Sequence, residues 1–168
     1  FKIMDPLKEG DKIPDFSLRD QNGDLFEIKN VLGRKNLVIY FYPKDGSPGC
    51  TRQACNFRDQ SSAFDEADAI VIGISGQSVE SHREFAETNS LTFPLLSDGD
   101  NNVRKMFGVP SSFFGIIPGR VTYVVNKEGR IVYIYSSQSN IERHVDEALK
   151  IALILKKSEK AKETVVSS

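Results

Sequence analysis

Residues 37–55, Leu37-Val38-Ile39-Tyr40-Phe41-Tyr42-Pro43-Lys44-Asp45-Gly46-Ser47-Pro48-Gly49-Cys50-Thr51-Arg52-Gln53-Ala54-Cys55, decide how this chain folds. Leu37 to Tyr42 are continuously apolar and rich in β-branched and aromatic side chains, which predicts a central strand buried on both faces. Pro43 stops that strand, because proline has no N–H to give to a ladder. From about Pro48 the pattern becomes helical, through Phe57 and Ala63-Phe64, and Pro48 suits a first turn where a missing N–H is no loss. The strand and loop therefore deliver Cys50 to the start of a helix. Unpaired N–H groups and the helix dipole favour negative charge there, which makes Cys50 a candidate thiolate nucleophile.

Working outward, Ala69-Ile70-Val71-Ile72-Gly73-Ile74-Ser75 reads as a second buried strand. Ser78 then caps a helix to about Thr88, with Val79, His82, Phe85 and Ala86 able to share a face. Upstream, Phe16-Ser17-Leu18 and Leu25-Phe26-Glu27-Ile28 alternate around Gln21-Asn22-Gly23-Asp24, the pattern of a hairpin. Downstream, Val103 to Phe107 is a short helical stretch. Arg120–Asn126 and Arg130–Tyr135 flank Lys127-Glu128-Gly129 as a second hairpin. Ile141 to Leu155 is an amphipathic closing helix capped by Ser139 or Asn140. Lys156 to Ser168 is polar and lysine-rich and is expected to fray. This order predicts an α/β, thioredoxin-like sandwich: a central mixed β-sheet flanked by helices, with an N-terminal β-hairpin. One domain is expected over residues 1–168, with its core at about 8–155 and a flexible tail at 156–168.

Composition narrows the function classes. With 22 basic against 23 acidic residues, the chain has no electrostatic footprint for nucleic acid. No apolar run approaches the roughly 18–20 residues that span a bilayer, so no membrane partner is expected. Phe1-Lys2-Ile3-Met4-Asp5 has no signal-peptide pattern. Two cysteines are not a disulfide scaffold, and a bridge across so short a loop would add little stability. If Cys50 and Cys55 pair, the reason is chemical.

Pro43, three residues, Ser47, two residues and Cys50 resemble the peroxiredoxin signature. The continuation Pro48-Gly49-Cys50-Thr51, Gln53-Ala54-Cys55, Phe57-Arg58-Asp59 looks like the peroxiredoxin Q, or bacterioferritin comigratory protein, group. Similarity extends over roughly residues 8–152, through Val71–Ser75, Ser81-His82, Leu95–Asp98, Val103–Lys105, Phe107–Val109 and Pro118–Arg120. The resemblance implies a thiol-dependent peroxidase acting on hydrogen peroxide and small organic hydroperoxides, with a thioredoxin-like dithiol reductant and no metal, haem, flavin or nucleotide. It also implies a monomer, and either a bacterial cytoplasm or a plastid stroma.

Within that resemblance, Cys50 is oxidised to a sulfenic acid and Cys55 condenses with it to a disulfide. Arg120 activates the thiolate and orients the peroxide, Ser47 donates a hydrogen bond to either, and Pro43 shields the sulfur and shapes the loop. Plainer readings stand beside these. Cys50 and Cys55 could be inert buried thiols, Ser47 a turn or cap residue, Arg120 a solvated strand-end charge and Pro43 a strand terminator. Gln53 either contacts the site or sits on a helix face, and His82 and His144 read as packing or surface residues without ligand spacing. Phe113-Phe114-Gly115-Ile116-Ile117-Pro118 is either an exposed patch for a reductase or a loop tucked beside Arg120.

The spacing of the two cysteines adds a constraint. Five residues along a helix rise about 7.5 Å and turn about 140°, leaving the Cα atoms roughly 8–9 Å apart. A disulfide needs them within about 7 Å, so the pair cannot bond across an intact helix. A thiol–disulfide oxidoreductase would instead use Cys-x-x-Cys, and a non-catalytic docking domain would leave Cys50 incidental.

Overall fold

A computed structural model describes residues 5–112 and 117–166. The chain opens with a hairpin of β1 (Ser17–Arg19) and β2 (Leu25–Glu27), paired antiparallel through Leu18 and Phe26. Gly23 takes a positive φ of 83° in its turn, the conformation that glycine adopts without a steric penalty. A short 3-10 turn, Ile28–Asn30, leads into β3 (Asn36–Phe41). Next come α1 (Pro48–Asp59), α2 (Ser61–Glu66), β4 (Ala69–Ser75) and α3 (Val79–Asn89). The remaining elements begin with β5 (Leu95–Ser97), α4 (Asn102–Phe107) and the small antiparallel pair β6 (Ser111–Ser112) and β7 (Ile117–Pro118). They end with β8 (Val121–Val125), β9 (Ile131–Ser136) and α5 (Ile141–Val166).

Seven strands form one sheet in the order β2-β1-β5-β4-β3-β8-β9. β3, β4 and β5 run parallel, while β1 and the β8–β9 hairpin pair antiparallel at the two sides. This is the expected mixed sheet of a thioredoxin-like sandwich. Every residue of β3 is buried, as its unbroken apolar run predicts. Alternation divides them between two cores. Leu37, Ile39 and Phe41 pack with Phe107, Tyr123 and Ile74. Val38, Tyr40 and Tyr42 pack with Cys50, Phe57, Phe64, Phe85 and Val145, the layer of α1, α2, α3 and α5. Burying each such side chain contributes about 1.5–3 kcal/mol, so the strand under the cysteines is the firmest support available to them.

Three expectations need correcting. β5 was not foreseen as a strand; its three residues pair parallel with Gly73–Ser75. The helix after Pro48 breaks at Gln60, whose φ of −98° and ψ of 11° end α1 and begin α2. The tail expected to fray from Lys156 is helical to Val166. It is rich in Lys, Glu and Ala, all good helix formers, and Glu159 pairs with Lys127 at 3.1 Å. Phe113–Ile116, the main part of the apolar stretch weighed above, lies outside the described residues.

Candidate active site

Cys50 lies in the first turn of α1, following Ser47 at the N-cap and Pro48 and Gly49. The first helical bond runs from Thr51 N–H to Ser47 C=O at 2.9 Å, which leaves the amides of Gly49 and Cys50 outside the ladder. The thiol is 1% exposed, and Arg120 Nη2 donates to its Sγ at 3.4 Å. Arg120 is itself buried and stands immediately before β8. Gly49 makes the approach possible, because a Cβ there would lie 3.2 Å from Arg120 Nη2. The solvated-charge reading of Arg120 is therefore wrong. The guanidinium brings a positive charge and a hydrogen-bond donor to the buried sulfur.

Gln53, one helical turn after Cys50, is fully buried, and its Oε1 accepts from Arg120 Nη1. It thus fixes the guanidinium from the same helix face that carries the thiol. Arg104 is a second buried arginine, whose importance sequence reasoning missed. Its Nη1 donates to Gly119 C=O at 3.0 Å and its Nη2 to Tyr42 C=O at 3.3 Å, with the guanidinium 5.5 Å above the Phe41 ring. Asp98 anchors the start of α4 by accepting from the Val103 and Arg104 amides. Arg104 so ties the exit of β3, which leads to the thiol, to the residue preceding Arg120. An arginine inside the apolar pattern Val103 to Phe107 was the available signal for an inward role.

The other expected residues are placed differently. Ser47 does not donate to the thiol: its hydroxyl donates to Lys44 C=O at 3.0 Å, closing the loop on itself. Pro43 is half-buried at the exit of β3, where it ends the ladder. Cys55 is free and half-buried on the face towards α3, with its thiol donating to Asn89 Oδ1 at 3.8 Å. Both cysteines lie in one unbroken α1, the arrangement in which they cannot bond.

Both histidines are fully buried, not surface residues. His144 Nε2 donates to Ser137 C=O at 2.7 Å, and its Nδ1 accepts from Thr122 Oγ1 at 2.8 Å. Burial holds its pKa down to about 4, with the nearby Arg120 charge adding to the effect. His82 faces Asp45 across the active-site loop. Burial pushes the Asp45 carboxyl up, but hydrogen bonds from His82, Tyr42 and Ser81 outweigh it and hold the group below the ordinary carboxylate range.

A thiol at a helix start, an arginine on it and a second thiol five residues later can be compared with known proteins. The AhpC/TSA family pattern matches residues 9–134. The chain belongs to the AhpC/TSA family. It is 50% identical over 149 residues to the chloroplastic peroxiredoxin Q of Oryza sativa subsp. japonica, covering 89% of this chain and 68% of that protein. The chloroplastic peroxiredoxin Q of Sedum lineare is 48% identical over 154 residues, covering 92% and 82%. Among solved structures, the peroxidoxin BcpB of Mycobacterium tuberculosis superimposes with a TM-score of 0.81 at 35% identity, covering 87% of this chain and 96% of that one. The bacterioferritin comigratory protein of Xanthomonas campestris, described for alkyl peroxide reduction, gives 0.77 at 30% identity, covering 84% and 92%. As an AhpC/TSA member with peroxiredoxin Q relatives, this chain is a thiol-dependent peroxidase.

Proposed function

We propose that Cys50 is the peroxide-reducing thiol and Cys55 the thiol that resolves it, on the strength of one observation: the buried guanidinium of Arg120 on Cys50 Sγ at the start of α1. The Cys50 thiolate attacks one oxygen of the peroxide. The S–O bond forms as the O–O bond breaks, and the leaving oxygen takes a proton to depart as water or an alcohol. Charge that develops on that oxygen meets donors already in place, the larger part of such catalysis. Arg120 Nε and Gln53 Nε2, both buried and unpartnered among the described residues, add to the donors near the thiol.

The Cys55 sulfur then attacks the Cys50 sulfur of the sulfenic acid. An S–S bond forms, the hydroxyl leaves, and with the Cys55 proton it becomes water. α1 must first unwind at its start, since the helical spacing forbids the bond. A thioredoxin-like dithiol returns both cysteines to thiols by exchange. Pro43 shields the sulfur, and Ser47 closes the turn that feeds the helix. Residues 1–168 work as one monomeric domain. The chloroplastic relatives favour a plastid stroma, and the bacterial structures leave a bacterial cytoplasm as the second reading.

Intact mass tests the assignment. One equivalent of peroxide should remove about two mass units from the reduced protein within seconds, as two thiol hydrogens are lost. In the Cys55→Ser variant, a sulfenic acid should be trappable at Cys50 with no intramolecular bridge. An unchanged mass, or a bridge in that variant, contradicts the proposal.

A further inference from the structure

The active-site loop between Pro43 and Ser47 carries one charged side chain that does not point to solvent. Asp45 is only 5% exposed at its side chain, and three donors converge on it. Tyr42 Oη donates to Oδ1 at 2.7 Å. Ser81 Oγ donates to Oδ2 at 2.8 Å, and His82 Nδ1 lies 2.6 Å from the same oxygen. His82 is wholly buried, and its Nε2 faces the Leu96 carbonyl at 3.0 Å. The His82 ring thus bridges the Asp45 carboxylate and the Leu96 carbonyl through its two nitrogens. Tyr42 Oη is 3.4 Å from His82 Nδ1 and completes the groups around the pair.

This cluster does for α1 what α1 does not do for itself. Ser47 occupies the N-cap without a side-chain cap bond, so no local interaction of that kind holds the first turn. Among the tertiary contacts that hold this end of α1 are Arg120 on the thiol and Gln53, Arg52 on Glu142 of α5, and Asp45 on α3. The Arg120 contact is made to the Cys50 sulfur itself and so changes when that sulfur takes on an oxygen. The Asp45 contact involves no atom of Cys50 and is unaffected by its oxidation.

We propose that Asp45, gripped by Ser81 and His82 of α3, is a positioning residue that sets how readily the start of α1 unwinds once Cys50 is oxidised. The proposal rests on the assignment of Cys50 and Cys55 made above. The grip favours the folded site that attacks peroxide and opposes the unwound one that forms the disulfide. It thereby sets the competition for Cys50–SOH between Cys55, which expels water, and a second peroxide molecule. The latter delivers one oxygen to sulfur, leaving Cys50–SO₂H and water or alcohol.

Stopped-flow fluorescence, with intact mass on quenched samples, separates the steps in the full-length protein. Asp45→Asn and His82→Gln should each form the disulfide about tenfold faster, a change equivalent to about 1.4 kcal/mol in barrier. Both should leave less of the species heavier by about 32 mass units at a given peroxide excess. The double variant should be no faster than Asp45→Asn alone, because both act through one contact. Ser81→Ala removes one of the three contacts and keeps that of His82, so it should show a smaller acceleration even if the other variants fail to fold. Unchanged or slower disulfide formation in folded variants overturns the grip. A wild-type protein that never forms the bridge overturns the cysteine assignment instead.

Discussion

The two halves of α1 are built differently. At its start, the N-cap side chain makes no cap bond, and the turn is held by Arg120 on Cys50, Arg52 on Glu142, and His82 on Asp45 in the preceding loop. Further along, Phe57 is fully buried and stacks on Tyr40 at 4.6 Å, with Phe64 at 5.7 Å. Arg58 Nη1 donates to Asn89 C=O at 2.6 Å. A missing cap costs a helix about 1 kcal/mol, whereas emptying a phenylalanine site costs about 3–5 kcal/mol. The weaker half carries Cys50, the proposed nucleophile, and Cys55 lies between the two. On the proposed pairing, a helix that opens and closes in each turnover is anchored at its far end, so that only its start needs to move.

The largest effect should come from breaking the start. Arg120→Gln removes the cation from the thiol and should lower kcat/KM for peroxide about a hundredfold or more, as loss of a preorganised donor does. Stopped-flow oxidation of Cys50 checks this, and a fall below about fivefold would return Arg120 to a purely structural role.

A smaller effect tests the support beneath Arg120. Its carbonyl accepts from Ser137 N–H, and Ser137 C=O in turn accepts from His144. His144 titrates near 4 in the folded protein, below its ordinary 6.5. As pH falls through about 6.5 the unfolded chain takes up this proton and the folded one does not. Stability from His144 is therefore complete above that pH and declines towards pH 4, by up to about 1.4 kcal/mol per unit. Denaturant melts across this window should show that slope in the wild type and lose its share in His144→Gln. Parallel slopes in the two proteins would contradict the shift.

What could be read from the sequence follows the same division. The buried strands, the hairpins, the Ser78 cap and the placement of Cys50 at a helix start follow from periodicity, turn residues and proline, all local signals. Ser78 does accept from the Ser81 amide as expected. β5 escaped notice because three residues show no period, and its strand character comes from pairing with β4. The break at Gln60 and the long α5 likewise depend on packing and on an ion pair with Lys127. Cys50, Cys55, Arg120, Ser47 and Pro43 are candidates that the family resemblance supplies. Gln53, Arg104, Asp45 and His82 were missed or undervalued because their meaning lies in partners far along the chain: Gln53 meets Arg120, and Asp45 meets His82. The Ser47 hydroxyl donates to Lys44 C=O, which agrees with its reading as a turn residue.

The claim that α1 opens at its start and stays closed at its far end is tested most directly by amide hydrogen exchange across residues 50–58. The dithiol and the Cys50–Cys55 disulfide would be compared at equal pH and temperature. Protection should fall in the disulfide from Cys50 to Cys55 and be retained from Phe57 onward. Equal protection across the whole segment in both forms would contradict the account, because the bond would then have formed without the helix giving way.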